Sequence, residues 1–244
     1  MRLRGRVALV TGGARRIGRA VALRLADRGA HVAITYRTSP AAAHATVRQL
    51  RRRGVRAMAV RMDQAEVGQI RAAVRAVERA LGRIDLLVNN ASTFYPTPLA
   101  SVTASQWDAL VDVNLRAPFF FAQAVATGMR RRRRGKIINM ADVSAFRPWA
   151  DYLPYCSAKA GVVALTQGLA KALAPHVQVN AIAPGPILPP RDLRSSAARR
   201  AASATLLKRW GSPEDIAQTV LYLVEGTDFV TGQVLTVDGG RLLA

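Results

Sequence analysis

The chain has 244 residues, 50% of them hydrophobic, and its 36 Lys and Arg against 15 Asp and Glu give a formal net charge of +21. That length suits one wound α/β sheet with a full core, the apolar runs are far too short to span a bilayer, and the single cysteine, Cys156, excludes an internal disulfide framework. The cation excess favours anionic ligands, but there is no zinc spacing, no aromatic-interleaved basic tract and no recognition-helix pattern to indicate a specific nucleic-acid partner.

Met1 to Gly5 lead into an apolar run and then a glycine-rich turn in place of a small-residue cleavage site, so a cytoplasmic protein without a signal peptide is expected. Val7 to Val10 reads as a first strand, Arg16 to Arg28 as a helix and Val32 to Tyr36 as a second strand. The alternation continues with a strand at Val55 to Arg61, a helix at Ile70 to Leu81, a strand at Leu86 to Asn89 and a long helix at Trp107 to Met129. Strands at Lys136 to Met140, Gln178 to Ile182 and Val234 to Val237, with a helix at Tyr155 to Ala174, complete the pattern. Repeated βαβ units predict a single doubly wound α/β domain of the Rossmann type over residues 1–244, with a seven-stranded parallel sheet. The arginine runs 51–53 and 130–134 fall at predicted helix ends, where cations complement the macrodipole. The Pro-, Ser- and Arg-rich stretch from Pro184 to about Lys208 is the expected substrate lid.

Chemistry first enters at Thr11 to Gly18, TGGARRIG, between the first strand and first helix. In that position a glycine turn lets backbone approach a pyrophosphate at a helix N-terminus, which makes Gly12, Arg15, Arg16, Ile17 and Gly18 candidate cofactor contacts. An acid at the end of the second strand would grip the ribose hydroxyl of NAD; this chain instead offers Tyr36, Arg37, Thr38 and Ser39, so NADPH/NADP+ is the expected cofactor. Asp63, after the third strand, reads equally as a helix cap, and Asn89 as a turn residue. Tyr155 and Lys159, four residues apart, share one helix face. There the ammonium is expected to lower the phenol pKa and make a usable proton donor. No metal-ligand constellation accompanies them.

With the glycine turn, the Asn89-Asn90-Ala91 segment, the Tyr155/Lys159 pair and the Val237-Asp238-Gly239-Gly240 ending, the sequence resembles the short-chain dehydrogenase/reductase family over nearly its whole length. The resemblance implies that Asp63 contacts adenine, Asn89 supports the sheet and cofactor, Asn114 orders a proton-relay water, Tyr155 gives the proton and Lys159 binds the nicotinamide ribose. Ala91, Pro184 and Gly185 are further implied cofactor contacts.

Two departures narrow the substrate. Arg16 stands where the common turn has its middle glycine, and Asp142, thirteen positions before Tyr155, stands where the family has serine. A carboxylate there would repel a developing oxyanion, which disfavours ketone reduction and suits protonation of an imine nitrogen. Ser144 could replace it only if the loop shifted by two residues. Phe94, in NNASTFYPTPL, offers a ring on the ligand side of the sheet. Arg16, Phe94, Asp142, Tyr155 and Lys159 together resemble the pteridine reductase subgroup. This implies NADPH-dependent reduction of dihydropterins, and of oxidised pterins and dihydrofolate, with Arg16, Phe94, Asp142 and Tyr155 on the substrate. It also implies a homotetramer joined through the helices at 107–129 and 155–174. The rival readings are a carbonyl reductase of the 3-oxoacyl thioester type, compatible with the same C-terminal pattern, and a non-catalytic NADP-sensing or nucleic-acid-binding protein, against which Tyr155 and Lys159 count.

Overall fold

Short strands buried on both faces dictate a sheet covered by helices on either side. β1 (Val7–Val10, VALV) and β4 (Ile84–Asn89, IDLLVN) are buried at every position, the pattern of a central parallel strand. The computed structural model describes residues 1–189 and 195–244, so part of the expected lid, residues 190–194, lies outside the described residues. β1 and β4 pair with β2 (His31–Tyr36), β3 (Ala57–Arg61), β5 (Gly135–Met140), β6 (Val177–Pro184) and β7 (Val234–Val237) in one seven-stranded sheet. All pairings are parallel, in the order β3-β2-β1-β4-β5-β6-β7. This is the predicted fold class.

The helices are α1 (Arg16–Asp27), α2 (Pro40–Arg51), α3 (Val67–Leu81), α4 (Ala104–Val111), α5 (Ala117–Arg131), α6 (Leu153–Leu173), α7 (Ser195–Ser203) and α8 (Pro213–Leu221). Alternate residues of β1 feed different cores. Ala8 and Val10 pack with Val21 and Leu25 of α1 and Ile216 and Val220 of α8, whereas Leu9 packs with Val74 and Val77 of α3 and Phe121 and Val125 of α5. Burial on both faces pins the register, since a one-residue slip would exchange the two sets.

Expected element ends are displaced by at most three residues. The predicted helix over 107–129 is interrupted by a π-helical turn at Asp112–Arg116 that separates α4 from α5. Pro118 supplies a reason: it has no N–H for the carbonyl of Asn114, four residues back, and its ring crowds that carbonyl. α8 was not expected, although Ser212 and Asp215 form a reciprocal capping box with Pro213 at the first helical turn. Among the described residues no helix is long and apolar enough to cross a membrane.

Candidate active site

The strand order reverses direction between β1 and β4, and ligands of open α/β sheets bind outside the carboxyl ends at such a switch point. A groove of about 430 Å³ opens there. It is lined by Gly12, Arg15, Arg16, Ile17 and Gly18 of the turn, by Tyr36, Arg37, Thr38 and Ser39 after β2, by Asp63 and by Ala91.

The turn is built for close backbone approach. Gly12 has φ +64, and a Cβ on it would lie 3.0 Å from the Cα of Ala91; one on Gly18 would lie 2.5 Å from the carbonyl oxygen of Gly12. The N-terminus of α1 carries no side-chain cap and no acid in its first turn, so its free N–H groups and positive dipole end suit a pyrophosphate. These residues fit a dinucleotide. Four hydrogen bonds hold the frame: Thr35 Oγ1 accepts from the Gly12 N–H at 3.2 Å, Thr11 Oγ1 accepts from the N–H groups of Asn90 and Ala91 at 2.9 Å each, and the Asn90 amide donates to the Thr11 carbonyl at 2.8 Å.

Asn89 requires a correction. It is buried away from the groove, with its amide donating to Asn139 Oδ1 at 2.9 Å and to the Pro118 carbonyl at 3.4 Å. It therefore ties β4 to β5 and α5, and Asn90, one residue on and pointing to the opposite face, lines the groove instead. Arg37 and Asp63 face each other at 3.6 Å, 59% and 36% exposed. A pair so open to solvent contributes little to stability, which leaves the guanidinium able to re-pair with an anion.

α6 presents Tyr155 and Lys159 on one face, into a second cleft of about 490 Å³ that also contains Arg16, Phe94, Asp142, Pro184 and Gly185. The Tyr155 hydroxyl donates to Asp142 Oδ2 at 2.9 Å, and the Ser144 N–H donates to Asp142 Oδ1 at 2.8 Å. Asp142, not Ser144, faces the tyrosine; Ser144 is fully buried outside the cleft lining. Lys159 Nζ donates to the Met140 carbonyl at 2.8 Å and lies 5.6 Å from the Tyr155 ring centre.

The expectation that lysine lowers the tyrosine pKa is overturned here. Burial, then the charge of Asp142 and its hydrogen bond, hold the phenol well above its usual value, against a weaker opposite pull from the Ser92 hydroxyl. The carboxylate is in direct contact while the ammonium is not. Lys159 itself is pushed down from 10.5 to about 8, chiefly by burial, with Asp142 working in the other direction.

A lysine depressed on folding binds fewer protons in the native than in the unfolded state between those two values, so stability should rise with pH across that window and the contribution should be absent below it. Denaturant unfolding from pH 8 to 10.5 is expected to show wild type gaining up to about 3 kcal/mol relative to Lys159→Met. Parallel curves for the two proteins would refute the assignment.

Asn114 sits buried in the π-helical turn, donating to the carbonyls of Thr93 and Leu110 at 2.9 Å each and accepting from Ser92 Oγ at 2.6 Å. It lines neither groove nor cleft, and it fastens the loop that carries Phe94. Phe94 stacks on Tyr152 at 4.6 Å and 6° and meets Tyr155 edge-on at 4.8 Å. One of its faces is thus already covered, so a planar ligand can use only the other. Arg16 lines both groove and cleft. It adopts φ +51, a left-handed conformation rare outside glycine, and its guanidinium donates to the Leu188 carbonyl at 3.0 Å. Pro186, Ile187, Leu188 and Ala201, from the described parts of the expected lid, also line the cleft. Trp149, Trp210 and Arg241 line it too and were not anticipated; Trp149 and Arg241 adjoin the motifs, but no spacing rule pointed their side chains into the cleft.

A family model described as "Enoyl-(Acyl carrier protein) reductase" matches residues 12–241. The chain belongs to the short-chain dehydrogenase/reductase family. It is 35% identical to a 3-oxoacyl-[acyl-carrier-protein] reductase FabG of Staphylococcus epidermidis, over 97% of this chain and 98% of that one. It is also 35% identical to a galactitol 2-dehydrogenase of Agrobacterium fabrum, over the full length of both. Among solved structures, a blue fluorescent protein from a metagenomic library, in complex with NADPH, superposes with TM-score 0.91 at 37% identity, covering 99% of each chain. A short-chain dehydrogenase/reductase of Serratia marcescens gives 0.92 at 32% identity, again covering 99% of each. The short-chain dehydrogenase/reductase described here is accordingly an NAD(P)-dependent oxidoreductase.

Proposed function

We propose that this enzyme reduces a C=N bond of a flat, nitrogen-rich heterocycle of the pteridine class, a dihydropterin to a tetrahydropterin, with NADPH as reductant. Oxidised pterins and dihydrofolate fall in the same class. The observation that carries the reading is the 2.9 Å hydrogen bond from Tyr155 to Asp142. A carboxylate against the proton donor would repel the oxyanion of a carbonyl under reduction. An imine nitrogen is more basic than a carbonyl oxygen and takes its proton before or with the hydride, so the carboxylate faces an iminium-like cation that it stabilises.

When bound, the nicotinamide cofactor supplies a hydride to the ring carbon of the C=N bond and leaves as NADP+. Tyr155 delivers the proton to the nitrogen. Its raised pKa keeps it protonated at neutral pH. Asp142 accepts that O–H until it turns to the substrate nitrogen, and would serve a second ring nitrogen of a fully oxidised substrate after taking up a proton from solvent. Lys159, anchored on the Met140 carbonyl, holds the nicotinamide ribose. The free face of Phe94 and the guanidinium of Arg16 grip the heterocycle. Arg37, with Thr38 and Ser39, receives the 2′-phosphate, so Arg37→Ala should raise KM for NADPH roughly tenfold and leave that for NADH within about twofold. Equal changes for both cofactors would count against that role.

A second reading, reduction of a 3-oxoacyl thioester, is favoured by the names of relatives 35% identical over almost the whole chain. The two separate in one assay: NADPH oxidation by the purified protein offered dihydrobiopterin, dihydrofolate and an acetoacetyl thioester in parallel. Turnover of the pterins is expected; turnover of the thioester alone would overturn the proposal. The same reading includes a homotetramer, supported by exposed Trp107 and Phe119 on the outer side of α4 and α5; a monomeric mass by light scattering would exclude it.

A further inference from the structure

We infer that Arg241, in the lining of the substrate cleft, forms an anion subsite that holds a carboxylate, so that the enzyme selects a heterocycle bearing an acidic aromatic tail over the bare ring. This rests on the pteridine-class reading above and adds to it a specificity-determining residue.

The cleft lining combines two kinds of chemistry: Asp142, Tyr155 and Lys159, and with them Leu188, Trp210 and the half-buried Arg241. Its volume of about 490 Å³ takes the nicotinamide, beside Lys159, Pro184 and Gly185, as well as the heterocycle. A substituent on a heterocycle placed against Phe94 and Tyr155 shares the same cleft with Trp210 and Leu188, an apolar lining suited to an aromatic linker.

Arg241 is held in place by a constructed turn. Asp238 accepts from the N–H groups of Gly240 and Leu242, one on each carboxylate oxygen, at 2.8 Å. Gly239 and Gly240 adopt φ +63 and +78, and a Cβ on Gly240 would strike Leu206 at 2.8 Å. Gly185 packs so closely below that its Cβ would lie 2.5 Å from the Cβ of Asp238. The result fixes Arg241 at the start of the 3-10 turn Arg241–Leu243, so its backbone has little freedom left to lose when a ligand binds.

Charge points the same way. Asp238 is committed to backbone amides, and among the described residues lining the cleft Asp142, which accepts from Tyr155 and Ser144, is the sole carboxylate. The guanidinium of Arg241 donates to the Ala204 carbonyl at 3.4 Å, long for a charged donor. A carboxylate offers it a shorter, bidentate partner. A neutral side chain on the heterocycle offers nothing equivalent.

The test is steady-state reduction of dihydrofolate, which carries a benzoyl-glutamate tail, and of dihydrobiopterin, whose short side chain is neutral, by wild type, Arg241→Gln and Arg241→Lys. For wild type, a lower KM for dihydrofolate is expected. Arg241→Gln should raise that KM roughly tenfold while leaving the dihydrobiopterin KM and both kcat values within about twofold, and Arg241→Lys should recover part of the loss. The wild-type preference should shrink in high salt, because the subsite is partly open to water. If wild type reduces dihydrobiopterin but the variants treat both substrates alike, the anion subsite is refuted and the pteridine reading stands. If wild type reduces neither pterin, both fall.

Discussion

Tyr155→Phe is expected to cut kcat for dihydropterin reduction by roughly 10²–10⁴-fold, the usual worth of a positioned general acid. The ring would remain, along with its edge contact to Phe94 and its place on α6, so NADPH affinity should hardly move. What disappears is the O–H that donates to Asp142 at 2.9 Å. Since among the described residues Asp142 would keep only the Ser144 N–H as a protein donor, a secondary loss of about 1–3 kcal/mol in stability is expected from the under-paired carboxylate. Steady-state rates, cofactor titration by fluorescence and denaturant unfolding read the three effects separately. Undiminished turnover would remove Tyr155 from the chemistry altogether.

Asp142→Ser is expected to change which bond is reduced. The substitution takes away the charge and the hydrogen bond that Asp142 uses to raise the Tyr155 pKa, and installs a hydroxyl that can donate to a carbonyl oxygen. Dihydropterin kcat/KM should fall by about two orders of magnitude, and turnover of an acetoacetyl thioester should rise by a comparable factor, since one well-aimed donor to an oxyanion is worth roughly 10²–10³. A second signature is the pH profile. With the carboxylate gone, the phenol should ionise at lower pH, so the alkaline fall in reductase activity should move toward neutrality. A variant that loses pterin activity without gaining carbonyl activity would show that Asp142 acts as a support and does not choose the substrate.

The parallel sheet was legible in the sequence because central strands leave an unbroken apolar record, as in VALV and DLLV, and because the glycine turn fixes where the first strand must end. Tyr155 and Lys159 were legible for a different reason, since helix periodicity converts their spacing into a shared face, and Asp142 was legible through the family resemblance, which places the residue thirteen positions before the tyrosine beside it. Four features escaped. Asn89 and Asn90 are adjacent, and only the pleat decides which faces the ligand. The π-helical turn depends on how Pro118 disturbs one carbonyl within an otherwise helical pattern. The raised Tyr155 pKa depends on which of two nearby charges makes contact, and spacing alone favoured the wrong one. Trp210 and Arg241 reach the cleft through long-range packing of the C-terminal segment, for which no local pattern exists.

Arg16 carries a consequence for evolution and engineering. A left-handed backbone at a residue with a side chain costs about 1–2 kcal/mol against a relaxed conformation, and glycine would be at ease there. Selection for heat resistance alone, or a consensus redesign toward the common family turn, would therefore favour replacing this arginine. The sturdier descendant would lose a guanidinium that lines both the groove and the cleft, and with it the contact proposed to grip the substrate. An arginine held in a conformation that favours glycine is the pattern expected where ligand recognition outweighs robustness.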